Sequence, residues 1–193
     1  DPIKLKYCYE YDDDRFYDRL FTIDRFIKEC EFLIENECED SYFTINSFWD
    51  SKKRTEDIRH LNAFALDFDF YKKKEYQHLT PEEMYQQHIK FKLTHTPTAV
   101  INSGRGLYVI FAFHHCSIAR LKLYQAIYKQ LLERFKAFGM DAKATHVTQV
   151  IRIPGTSNSK ALAPVRILEF NDTQYELTDF CHLLPYSYQQ CQR

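Results

Sequence analysis

AVINSGRGLYVIFAF, residues 99–113, reads as two β-rich arms around a Ser103-Gly104-Arg105-Gly106 centre. Val, Ile, Tyr and Phe suit a pleated strand, and a glycine-bearing centre suits a reversal of direction, so the stretch is a hairpin. Two of the chain's four glycines stand in this one turn. Glycine placed this way serves either a tight turn or a close approach of backbone to phosphate, and both readings stay open here.

Outward from the hairpin, LNAFALDFDFY (61–71) reads as a strand and LTPEEMYQQHIKFKL (79–93) as a helix. Thr80 is placed as N-cap, Pro81 at the first helical position and Glu83 as the partner closing a capping box, which predicts a helix over about 81–93. After the hairpin, Ser117 caps IARLKLYQAIYKQLLERFKAF (118–138). There Leu121, Tyr124, Ile127/Tyr128, Leu131 and Phe135 recur at helical spacing until Gly139 stops them. HVTQVIRI (146–153) is a fourth strand, broken by Pro154-Gly155. Residues 61–153 therefore spell β-α-β-β-α-β, the split unit of ferredoxin-like and RNA-recognition-motif sheets, in which the first strand lies between the third and the fourth. VRILEF (165–170) adds a strand, and Thr178 is placed to cap a short last helix. Upstream, FYDRLFTIDRFIKECEFLIENE (16–37) carries a helical pattern in Phe16, Leu20, Ile23, Ile27 and Phe32/Leu33, and SYFTINSFW (41–49) reads as one short strand.

The expected class is thus α/β (α+β): an RNA-recognition-motif-like core over 59–171, an N-terminal α/β module over 1–58 and a C-terminal extension over 172–193, forming a single domain. The 193 residues, 45% of them hydrophobic, are enough for a sizeable core. A net charge of -1 excludes a global basic signal for nucleic acid, so any polyanion site must be local. Lys52-Lys53-Arg54 and Lys72-Lys73-Lys74 bracket the 61–71 strand and read as solvated loops or, less commonly, as nucleic-acid contacts. The 16% aromatic content supplies core packing and also surfaces on which bases can stack. Six cysteines without a C-x-x-C pair, no secretory leader and no long apolar stretch predict a reduced, cytoplasmic protein without membrane contact. His114-His115-Cys116 lacks a spaced partner pair, so no structural zinc is expected. The chain begins at Asp1 without methionine, which suggests a fragment of a longer protein.

Strand alternation divides LNAFALDFDF into a core face of Phe64, Leu66, Phe68 and Phe70 and a second face of Ala63, Ala65, Asp67 and Asp69. Two carboxylates about 6–7 Å apart along one strand repel unless a cation sits between them. Two-metal phosphoryl-transfer sites begin in this way, and so does a merely acidic solvent face. The turn can add the Ser103 hydroxyl, glycine amides and the bidentate Arg105 fork for phosphate oxygens. In HVTQVIRIPGTSNSK (146–160), a regular strand puts Thr148, Val150 and Arg152 on a face with His146, and Asn158 and Lys160 follow on a polar loop.

Taken in order, ALDFDF, INSGRGLYVIF and IRIPGTSNSK resemble the motifs of the archaeo-eukaryotic primase superfamily, especially primase-polymerase domains of plasmid and mobile-element replication proteins. The likeness covers about 45–170. It implies divalent Mg²⁺ or Mn²⁺, nucleoside triphosphates, a single-stranded DNA template and, in the whole protein, a helicase or origin-binding partner. By the same resemblance Asp67 and Asp69 match the catalytic metal-binding pair, and Ser103 matches the serine of the second motif. Tyr108 stands where the family carries a histidine that touches the triphosphate. Counting back from Arg152 puts His146 at an acidic-ligand position; a histidine there suits Mn²⁺ better than Mg²⁺, and Asp141 is a carboxylate that could substitute. Gln149 stands where many relatives have arginine. Arg105, Tyr108, Arg152 and Lys160 join Ser103 as expected nucleotide contacts. Template-directed nucleotidyl transfer is the expected activity; the alternative is a degenerate primase fold that only binds single-stranded or origin DNA.

Overall fold

The computed structural model describes residues 5–10, 16–49 and 54–185. In chain order the elements are β1 (Leu5–Glu10), β2 (Phe16–Phe21), α1 (Ile23–Glu35), β3 (Tyr42–Thr44), β4 (Ser47–Phe48), β5 (Ile58–His60) and β6 (Ala63–Phe68). There follow α2 (Pro81–Met84), β7 (Ala99–Asn102), β8 (Leu107–Phe113), α3 (Leu121–Phe135), β9 (Val150–Arg152), β10 (Ser157–Asn158), β11 (Ala163–Pro164), β12 (Arg166–Phe170) and β13 (Gln174–Tyr175).

The hairpin of β7 and β8 is the middle of the main sheet. Its strands run β12-β7-β8-β6, all neighbours antiparallel. β13 joins β8 in parallel at Ala112 and Phe113, beyond the reach of β7. One face of β6 buries Phe64, Leu66 and Phe68 against α2 and α3, where Tyr124, Tyr128 and Phe135 complete the core. The other buries Ala63 and Ala65 with Ile101 and Tyr108 against Ile45, Ile151 and Val165. The alternation read from the sequence therefore holds over Ala63–Phe68 but not to Asp69, which lies past the strand's end, and the face that carries Asp67 looks toward the N-terminal layer.

The strand of Arg152 does not lie beside β6. β9 pairs with β3, in a second sheet of order β2-β1-β3-β9. The outer edge of β6 has other partners: Tyr124 Oη donates to the Ala63 carbonyl at 2.9 Å, and Tyr128 Oη and Gln149 Nε2 donate to that of Ala65. The Asp141 amide donates to the Asp67 carbonyl at 2.8 Å, and the Asp69 amide donates to the Gly139 carbonyl at 2.9 Å. With those groups satisfied by side chains and by the 139–141 turn, no ladder is left for a fourth strand. Ala142–Thr145 is a 3₁₀ turn and the strand begins only at Val150, so His146 and Thr148 are not on a strand face with Arg152.

Residues 16–21 are strand rather than the first turns of a helix. They pair with β1 along its whole length, and the helix starts after Thr22. α1 packs through Leu33 with Phe26 and Cys30, whereas Ile27 and Phe32 of the expected face point outward. The 41–49 strand is interrupted at Ile45-Asn46 into β3 and β4. The Thr80–Glu83 capping box is formed, and the helix that it starts continues as a π turn (Tyr85–Ile89) and a 3₁₀ turn (Lys90–Lys92). The last helical segment, Leu177–Leu183, is capped by Glu176 with Asp179 rather than by Thr178. Burial pushes the thiols of Cys30, Cys116 and Cys181 up, that of Cys30 to about 11, which leaves them unreactive. Among the described residues no helix is long and apolar enough to cross a membrane.

Gly139 ends the α3 segment in the left-handed region at φ 86°, and an added Cβ would lie 2.7 Å from the Phe70 Cα and 2.9 Å from its nitrogen. Backbone atoms cannot yield as a side-chain tip can. Gly139→Ala is expected to cost about 2–3 kcal/mol from the φ and the clash together, read as a lower midpoint in urea with an unchanged slope.

Candidate active site

Asp67 lies on the inner face of β6 near its end, directly opposite Tyr108 of β8. Burial, then the charges of Asp69 and Asp141, push its carboxyl up to about 8; Lys72 and Arg152 offset only part of that. Asp69 has left the strand. Its carboxylate pairs with Lys72, and burial and the nearby Asp69 carboxylate make the Tyr71 hydroxyl less acidic.

The Ser103–Gly106 turn is drawn onto this end of the strand from two sides. Gly106 packs so closely on β6 that a Cβ would come within 3.0 Å of the Phe68 carbonyl and of Ser103 Oγ. Gly104, at φ 103°, leaves only 2.8 Å between an added Cβ and that of Asn158. Asn158 Nδ2 then donates to the Ser103 carbonyl at 2.8 Å, so the β10 segment clamps the turn from behind. Within the turn Ser103 Oγ accepts from the Gly106 amide at 3.2 Å. Arg105 lays its guanidinium 4.4 Å over the Tyr71 ring, beside Asp69.

Arg152 enters from β9. It is buried, ion-paired with Asp40 and stacked 4.6 Å over Tyr42. Burial pushes the Asp40 carboxyl up, but hydrogen bonds from Ser159 and Arg152 and the Arg152 charge more than offset this and hold it below the usual carboxylate value. Tyr108 is buried beside Asp67, and burial first and that acid second keep its hydroxyl protonated.

Two depressions meet at Asp67. One, of about 220 Å³, is bordered by Asp69, Ser103, Arg105, Tyr108 and Arg152. The other, of about 310 Å³, is bordered by Asp141, Lys143, His146 and Thr148. Five expected nucleotide or metal contacts thus surround one opening with Asp67. Lys160 is exposed and borders neither depression, and His146 stands with Asp141 in the depression that Asp69 does not border. Asp40, Tyr42, Tyr71 and Lys72 join the site without having been singled out by the sequence. Tyr71 and Lys72 follow the acidic pair directly in DFDFYK, where the lysine reads as part of a solvated cluster. Asp40 is 112 residues from Arg152 and carries no local signal.

Among the described residues no three His, Cys, Asp or Glu side chains are grouped closely enough to enclose a metal ion. The donor chemistry nevertheless fits a hard divalent cation. The half-buried Asp67 carboxyl feels the charges of Asp69 and Asp141, and Mg²⁺ and Mn²⁺ both take oxygen ligands.

No protein-family model matches the chain. A "Replication protein" of Clostridium perfringens is 31% identical over 141 residues, which are 73% of this chain and 34% of the relative. The chain thus spans about a third of that curated relative's length. The archaeo-eukaryotic primase domain of the Cyanophage S-2L primase-polymerase superposes with a TM-score of 0.65 at 12% identity, covering 95% of this chain and 89% of that one. The catalytic domain of primase RepB′, solved in complex with initiator DNA, gives 0.58 at 12% identity, covering 98% and 87%. At such identities the likeness is one of fold, and it bears out the fold expected from the three motifs.

Proposed function

We propose, from the premise that this chain has the archaeo-eukaryotic primase-polymerase fold, that it catalyses template-directed nucleotidyl transfer on single-stranded DNA, as one domain of a longer plasmid-type replication protein. The observation that carries this reading is the convergence of a half-buried, destabilised carboxyl, a second acid, a serine turn and two arginines on one opening. Asp67 and Asp69 would hold a divalent cation, with Asp141 as the third acid in place of His146. The cation would supply charge neutralisation at the α-phosphate and activate a 3′-hydroxyl. Arg105, fixed on Tyr71, and Arg152, fixed by Asp40, supply positive charge to the triphosphate without having to be ordered first. Ser103, held by its turn, offers a hydroxyl, and Tyr108, opposite Asp67 on β8, borders the same opening.

A binding-only reading has one observation in its favour: Lys72 is seated on Asp69, and no three-ligand group is formed among the described residues. Nucleotide incorporation on primed and unprimed single-stranded DNA, with Mg²⁺ or Mn²⁺, separates the two. The expected result is incorporation that falls more than about tenfold in Asp141→Asn and less than about threefold in His146→Ala. Normal DNA affinity with no incorporation under any of these conditions would give the chain to the binding-only reading.

A further inference from the structure

Trp49 is the chain's single tryptophan, and it is 60% exposed. It stands just past β4, where its amide donates to the Asp57 carbonyl at 2.8 Å and extends the β4–β5 pairing. The Arg59 guanidinium lies 4.4 Å over its ring. A large aromatic kept at the surface under an arginine presents π-surface and a cation together, a pairing suited to a nucleobase and its phosphate. Among the described residues the hairpin's acids are paired, Asp57 with Arg54 at 2.7 Å and Glu56 with Arg54 at 3.2 Å. Lys52 and Lys53 belong to the same connection in the sequence and lie outside the described residues.

The platform is joined to the candidate site by backbone contacts. Asn46 Nδ2 donates to the Val147 carbonyl at 2.8 Å and the Ile45 amide to the Gln149 carbonyl at 3.2 Å. The 146–149 stretch held in this way borders the depression shared by Asp67 and Asp141. From His60 to Asp67 the chain can span at most about 23 Å at roughly 3.3 Å per residue, so the platform is within a few nucleotides of the acids.

We propose that Trp49 and Arg59 stack a base of the single-stranded DNA that runs along the 146–149 stretch to Asp67. This rests on the reading of the chain as a protein acting on single-stranded DNA, and it adds where the strand is gripped away from the acids. Positive charge beside a π-face favours a polyanion with bases over an acidic or apolar peptide.

The single tryptophan is its own reporter. Its fluorescence would be followed on titration with (dT)20 in low salt, alongside the anisotropy of labelled (dT)20 and a titration with an abasic 20-mer. The expected result is quenching that saturates together with the anisotropy, no matching quench from the abasic strand, and about tenfold weaker (dT)20 binding by Trp49→Ala at an unchanged Tm. Binding of (dT)20 without quenching, or with equal affinity in Trp49→Ala, would overturn the platform and leave the polymerase reading standing. Equal quenching by the abasic strand would reduce the contact to phosphate and overturn the stacking. An absence of (dT)20 binding by the unaltered protein would remove the proposal together with the reading beneath it.

Discussion

Asp67→Asn is expected to abolish nucleotide incorporation and, in the same protein, to raise the melting temperature. The first effect follows if the Asp67 carboxylate is the anionic oxygen donor nearest the reacting phosphate, since an amide carries no charge to hold a divalent cation. The second follows from the cost of its charge. An aspartate titrates near 3.8 when solvated, and here burial and two neighbouring acids hold it near 8. The folded protein therefore binds this proton more tightly than the unfolded chain does. The associated stability is complete below pH ~4, declines as pH rises toward 8 and is lost above it. The whole interval corresponds to about 6 kcal/mol. Asparagine keeps the shape and removes the ionisation, so a gain of about 2 kcal/mol at pH ~9 is expected once relaxation of the site is allowed for, equivalent to roughly 4–8 °C for a chain of this size. Differential scanning fluorimetry across pH ~5–9 checks it: the two proteins should converge at the acid end and separate toward the alkaline end. Mn²⁺ should raise the midpoint of the unaltered protein and leave that of the variant where it is. A variant that melts lower at every pH, with the same response to Mn²⁺, would refute the assignment of strain to this carboxyl.

Such strain is legible in the sequence only as far as local periodicity reaches. Alternation in AFALDF separates Asp67 from Phe64, Leu66 and Phe68 on the core face without any tertiary knowledge, and the Ser103–Gly106 turn, the Thr80 capping box and the Gly139 stop are all set within a few residues. The placement of β9 is not local. It depends on Tyr124, Tyr128 and Gln149 taking the edge carbonyls of β6, and hydroxyls on a helix that also reads as a plain apolar stripe give no sign of it. Residues 16–21 mislead for a related reason: Phe16 and Leu20 fit a helical stripe, but the partner strand β1 satisfies the backbone first. The shared face of His146 and Arg152 assumes a regular strand between them, and the turn at 142–145 breaks it; His146 instead borders the depression that holds Asp67 and Asp141, whose amide donates to the Asp67 carbonyl.

Asp40→Ala is expected to lower the melting temperature by about 10 °C and to raise the nucleotide KM more than the stability loss alone would explain. The Arg152–Asp40 pair is buried on both sides, and Asp40 also accepts from Ser159. Removing one member of a buried pair leaves the other charge desolvated and uncompensated, at a cost of about 3–5 kcal/mol. At roughly 2–4 °C per kcal/mol in a chain of this size, that gives the shift stated. Replacing both partners, as in Asp40→Leu/Arg152→Met, should recover a large part of the stability, because neither charge is then stranded, while nucleotide affinity stays lost with the guanidinium. A purely structural pair would behave differently: the double replacement would restore KM as well as the melting temperature. The pH dependence supplies a further check of opposite sign to that of Asp67. Asp40 is held below its ordinary value by Ser159 and Arg152 against the effect of burial, so its contribution is present above pH ~4 and is lost as pH falls through the lowered folded value. The unaltered protein and Asp40→Ala should therefore differ most near neutrality and draw together in acid. The residue that steadies Arg152 would then set the acid limit of the fold, and the residue that Arg152 faces across the opening would set the alkaline one.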